Sequence, residues 1–173
     1  EGRARLKAAL DCPGAPKQAR AKALLHMGEL EAAQNYYAAA QTWYEQSLAC
    51  FRELGDTAGV AGALSALGLL AREQGDAERA AALFAKSLEL FRRLGDETAI
   101  AWALCSQGEV AVMLGDTPRA RALLDASLAH FRQHDDHLGV AWALNHLGHL
   151  AQLEGDPRRA TELHTESLSL FEQ

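Results

Sequence analysis

A single period governs this chain. The stretch from Gly59 to Thr98 recurs in fixed register before and after itself, so that Gly28, Gly68, Gly108 and Gly148 stand forty residues apart. A period of that length marks a repeat architecture. One unit cannot bury its own apolar side, so neighbouring units must stack. Composition says what the unit is made of: 49% of the residues are apolar, and Ala, Leu, Glu and Arg, all strong helix formers, dominate. The period and the helix-forming composition together predict an all-α solenoid of antiparallel helix pairs, about nine helices in all.

Gly-Asp pairs at 55–56, 75–76, 95–96, 115–116 and 155–156 punctuate the repeats. Gly takes the left-handed position that ends one helix, and Asp caps the next. Asn35-Tyr36 and Asp135-Asp136 replace the pair at two junctions. Asn and Asp tolerate the left-handed region next best after Gly, so those turns are expected to survive. Helices are predicted over 17–34 and 37–53, 57–74 and 77–93, 97–114 and 117–133, and 137–154 and 157–172. Pro157 and Pro118 fall in first turns, where a missing N–H costs nothing. Leu64, Leu67 and Ala71 share one face of a first helix, and Ala80, Leu83, Phe84, Leu88 and Phe91 share one face of its partner.

Residues 2–10 match the second half of a repeat. The segment 1–16 therefore reads as the second helix of a truncated preceding repeat, followed by a linker broken by Pro13, Gly14 and Pro16. Repeats follow at 17–56, 57–96, 97–136 and 137–173, as one continuous domain cut from a longer protein.

The residues at fixed positions carry a resemblance. Leu64, Leu67, Gly68 and Ala71, then Ala80 and Phe84, are similar to the tetratricopeptide pattern W-x-x-L-G-x-x-Y followed by A-x-x-x-F. Met27, Gly28, Ala40 and Tyr44 repeat it, as do Gly108, Ala120 and Leu124, and Gly148, Ala160 and His164. A mid-helix Gly costs about 1 kcal/mol relative to Ala. Its recurrence points to close approach of the paired helices, with the small Ala opposite. HEAT and armadillo repeats share the period but lack this placement. The forty-residue form resembles the arrays at the C-terminal end of bacterial STAND signal-transduction ATPases and LuxR-type transcriptional regulators. No Walker-type phosphate loop is present in these residues.

The resemblance implies a right-handed superhelix whose first helices line a concave groove, at positions 2, 5, 9 and 12 counted from Ala61 and its equivalents. The most distinctive set is Trp102, Cys105 and Glu109 with Trp142, Asn145, His149 and Gln152. Trp pairs beside polar groups make good anchors for a peptide or an apolar ligand. Packing of both indoles between helices is the competing expectation. The Lys and Asn of a carboxylate clamp are missing, which argues against a co-chaperone.

Other chemistries are weaker. A net charge of −6, without a basic cluster, argues against nucleic acid. No apolar run approaches the roughly 20 residues that span a bilayer. Three cysteines without C-x-x-C spacing suggest a reduced, cytoplasmic protein. His130 and His134, four apart, are weak metal candidates that need a third ligand from another element. Cys105, Asn145 and His149 include thiol-protease residue types, but nothing activates the thiol. The expectation is thus a non-enzymatic scaffold without cofactor, binding a protein or peptide within a larger regulator. The alternative is a small-molecule sensor gating an upstream nucleotide-binding switch. An uncapped apolar face around Leu163, Leu168 and Phe171 suggests self-association.

Overall fold

The computed structural model of the chain describes residue 14 and residues 16–172. All regular structure among the described residues is helical: α1 (Lys17–Ala33), α2 (Tyr37–Leu54), α3 (Thr57–Glu73), α4 (Ala77–Leu94), α5 (Glu97–Met113), α6 (Thr117–Gln133), α7 (His137–Leu153) and α8 (Pro157–Phe171). Each helix starts and stops within one residue of the span its turn signals predict. The expected helix over 2–10, most of its linker and Cys12 lie outside the described residues.

Five of the seven junctions between the described helices are closed from both sides by a Gly-Asp pair. Gly55, Gly75, Gly95, Gly115 and Gly155 have φ between 66° and 80°, and Asn35 (62°) and Asp135 (53°) take the same conformation at the two irregular junctions. The N–H of the next residue reaches five residues back, as from Asp56 to the Phe51 carbonyl at 3.0 Å and from Tyr36 to the Glu31 carbonyl at 2.9 Å. This is the paired hydrogen bonding of a Schellman turn. The same Asp then opens the following helix. The carboxylates of Asp56, Asp76, Asp96, Asp116, Asp136 and Asp156 each accept from the N–H three residues on, at 2.8 to 3.2 Å. Such a cap is worth about 1 kcal/mol. Tyr36 supplies no side-chain cap.

The chain divides into two compact units, with the division after Leu90, near the end of α4. In the first unit α1 packs on α2, α2 on α3 and α1 on α3. Its core gathers Ala21, Tyr44, Leu48, Phe51, Leu64 and Leu67. In the second unit α5 packs on α6, α6 on α7, α7 on α8, and α5 also touches α7. Leu124, Phe131, Leu144, Leu147 and Leu150 centre that core.

Two devices close each helix pair. Ala21, Ala61, Ala101 and Ala141 on the first helices and Ala40, Ala80, Ala120 and Ala160 on the second are all buried. Beside them, Ser47, Ser87, Ser127 and Ser167 donate their hydroxyls to the carbonyls of Ala21, Ala61, Ala101 and Ala141 at 2.8 to 2.9 Å. Each carbonyl already serves its own helix, so the serine fills its second lone pair across the interface. The recurring mid-helix glycine is the other device, and it marks the close approach of the paired helices, with the Ala120 carbonyl 3.4 Å from a Cβ placed on Gly108. The glycine makes room chiefly for the large residue four positions after the Ala. A Cβ on Gly28 would lie 2.4 Å from the Tyr44 ring, on Gly68 2.9 Å from Phe84, on Gly108 2.6 Å from Leu124 and on Gly148 2.7 Å from His164.

A second glycine position works between pairs. A Cβ on Gly59 would fall 2.2 Å from the Phe51 ring, and one on Gly139 2.2 Å from Phe131, whereas one on Gly62 meets nothing within 4 Å. Gly59→Ala is therefore expected to destabilise by about 1–3 kcal/mol through overpacking. Gly62→Ala is expected to stabilise by up to about 1 kcal/mol through helix propensity. Urea-unfolding midpoints read both, and a Gly59→Ala midpoint at or above wild type contradicts the packing.

Candidate functional site

The expected groove residues of the second unit lie on α5 and α7, two first helices in contact. Their environments differ. Trp102 is half-buried and meets the buried Phe131 edge-on, with ring centroids 4.9 Å apart. Trp142 repeats the geometry one period on, against Phe171 at 5.9 Å, but remains 42% exposed. The difference has a local cause: Phe131 is also covered by the backbone of α7 at Gly139, while Phe171 is itself 47% exposed. Trp102 thus joins the packing of its own helix pair, and Trp142 offers a face.

Cys105 requires a correction. It is 3% exposed and belongs to the core, so position 5 of this repeat presents no thiol at the surface, and no thiol nucleophile is displayed there. Asn145 and Glu109 are half-buried, and His149 and Gln152 are exposed. The expected set omitted His146. Its ring stacks on Trp142 with centroids 5.9 Å apart, and its Nε2 lies 3.9 Å from Glu109 Oε2 on α5. An i, i+4 Trp-His spacing on one helix face was the signal that could have revealed it. Trp142, His146 and Glu109, with Asn145, His149 and Gln152, form a surface of one flat apolar ring among hydrogen-bonding groups.

The groove register also held a site in the first unit. Within the first unit, a cleft of about 420 Å³ runs between α1 and α3, lined by Glu29, Ala32, Tyr44, Leu69 and Arg72 among others. Glu29 and Ala32, and Leu69 and Arg72, occupy positions 9 and 12 of their first helices, so the groove register did contain the site. Burial, with the nearby charge of Glu29, pushes the Tyr44 phenol up to about 12. Leu69 is 39% exposed and gives the cleft an apolar wall. The first half looked unremarkable in sequence because its groove positions carry no Trp. Tyr44, a residue of α2, contributes to the lining of the cleft as well.

His130 and His134 lie at the C-terminal end of α6, and their ring nitrogens approach the carboxylate of Glu97 at the start of α5. At the C-terminal end, Leu168 (62%) and Phe171 (47%) are exposed as expected, but Leu163 is buried against the second core. Among the described residues no helix is long and apolar enough to cross a membrane.

Three overlapping windows, residues 19–93, 59–133 and 99–173, match the family model described as Tetratricopeptide repeat, and each window starts forty residues after the last. The chain is a member of the tetratricopeptide repeat family. Such repeats generally mediate protein–protein interaction and are typically non-catalytic. In fold this tetratricopeptide chain is similar to the crystal structure of BtubC (BKLC) from P. vanneervenii. The TM-score is 0.80 at 20% sequence identity, covering 98% of this chain and 70% of that one. No curated protein sequence matches it.

The two tryptophans make unequal demands on stability. Trp102→Ala removes a ring packed on a buried Phe and is expected to lower the thermal midpoint by several degrees. Trp142→Ala is expected to lower it by less than half as much. Equal losses in differential scanning calorimetry would contradict the assignment of Trp142 to the surface.

Proposed function

We propose that the chain is the protein- or peptide-binding part of a larger bacterial signalling or transcriptional regulator, working in the cytoplasm. The partner lies on the first helices of the second unit, over Trp142, Asn145, His149 and Gln152, with Glu109 at the side. One observation carries this reading: Trp142 keeps 42% of its surface exposed while His146 and Phe171 hold its ring. A large aromatic side chain that is already ordered loses little entropy on binding, which is why Trp dominates binding hot spots. Asn145 and His149 beside it supply donors and acceptors for a backbone or a polar side chain.

The cleft in the first unit favours a second reading, a compact small-molecule ligand sensed between α1 and α3. Its size falls within the range of small-molecule sites, and an exposed Leu beside Arg72 and Glu29 suits a ligand with one apolar and one polar end. Affinity capture from source-organism extract separates the two. Wild type, Trp142→Ala and Leu69→Asp are compared, with protein and small-molecule eluates read by mass spectrometry. A protein retained by wild type and by Leu69→Asp but lost by Trp142→Ala is the expected result. It is then confirmed with purified components, where Kd should rise about tenfold or more, a loss of about 1.4 kcal/mol. A small molecule lost only by Leu69→Asp would replace the scaffold reading with the sensor.

The exposed Leu168 and Phe171 on α8 supply a contact between copies of the chain. Light scattering is expected to show a mass that rises with concentration and falls to the monomer in Leu168→Glu. A mass that does not depend on concentration removes this contact.

A further inference from the structure

Histidines four residues apart share one face of a helix. His130 sits in the last turn of α6 and His134 is its C-terminal cap residue. Alone they make a two-point contact, too few for a dedicated site. The fold adds a third donor from a different element: Glu97, the first residue of α5, is brought back beside them because α5 and α6 run antiparallel. One donor atom from each of Glu97, His130 and His134 lies within 4.8 Å of the others.

The central imidazole is in an unusual state. His130 Nδ1 is shut off from solvent and makes no aligned hydrogen bond. Glu97 Oε2 is nonetheless only 3.1 Å away. That distance suits an ion pair, but the direction does not suit a hydrogen bond. It also suits a shared metal ion. Zn–N and Zn–O bonds of about 2.0–2.2 Å with tetrahedral angles place two donors about 3.3 Å apart. Nδ1 and Oε2 thus already span one edge of such a tetrahedron, and the exposed His134 ring has room to swing onto a third corner. Water completes the fourth.

We propose that Glu97, His130 and His134 form a site for one divalent transition-metal ion, with Zn²⁺ the natural occupant of two imidazoles and one carboxylate. Mg²⁺ and Ca²⁺, which require oxygen donors, are excluded by the same set. The bound ion clamps the end of α6 to the start of α5, next to the contact of Trp102 with Phe131. Its role there is structural, since it ties together the ends of α5 and α6 that lie opposite their connecting turn at Gly115-Asp116.

The test is calorimetric titration of the 173-residue chain with ZnCl₂, and with MgCl₂ as the control. One Zn²⁺ per chain is expected, with no heat from Mg²⁺ and a thermal midpoint that rises with Zn²⁺. Glu97→Gln and His134→Ala alter exposed side chains, so circular dichroism should show both folded. Each is expected to raise the Zn²⁺ Kd about tenfold or more and to abolish the thermal shift, while His149→Ala changes neither. The proposal is overturned by failure to bind one Zn²⁺ per chain, or by binding that either Glu97→Gln or His134→Ala leaves unchanged. Neither outcome bears on peptide binding at Trp142, because the two sites share no residue.

Discussion

Everything in this molecule depends on how closely the two helices of a pair approach each other. The approach is set by a few small residues at fixed places: buried Ala on both helices, a Ser hydroxyl bonded to the opposite backbone, and a Gly that receives a ring or a Leu from across. None of these makes a large hydrophobic contribution. They bring two backbones near enough for the larger Leu and Phe side chains around them to meet without voids. The serine is the least obvious member. A buried hydroxyl without a partner would cost about 1–3 kcal/mol, but at the crossing it finds a carbonyl with a lone pair to spare. The polar residue therefore tightens the contact it would otherwise loosen.

The junctions follow the same economy. One residue, the Asp of each Gly-Asp pair, ends a helix with its backbone N–H and begins the next with its carboxylate. The turn has almost no freedom, and the forty-residue period is passed from repeat to repeat. Where Gly is missing, Asn35 and Asp135 adopt its conformation. Where the capping Asp is missing, at Tyr36, the backbone half of the turn is kept and the side-chain half is lost.

A frame repeated this strictly leaves its exposed positions free to vary, and function lies in that variation. Trp102 and Trp142 occupy the same place in consecutive repeats, yet one packs into its own pair and the other faces solvent. The identity of the two positions was legible in the sequence. Their fates were not, because exposure depends on whether another backbone covers the Phe behind the indole, as Gly139 does for Phe131. The cleft in the first unit was not singled out for a related reason: its groove residues are ordinary, and part of its lining, Tyr44, comes from a second helix. Cys105, read as a groove residue, is core, packed in the cluster that also holds Leu144 and Leu147. The three-donor cluster was half legible, since two histidines four apart are visible in any reading and the distant Glu97 is not.

By itself the sequence determined the period, the positions of the eight described helices, the chemistry of every turn and the family. Each of these rests on local interactions, within about six residues, that recur in register. Only the tertiary structure decided which tryptophan is presented, which cysteine is withdrawn, where a cleft opens and which carboxylate joins the histidine pair. Those outcomes depend on side chains from helices about thirty residues apart, and hydrophobic periodicity states which face of a helix is buried but not what it is buried against.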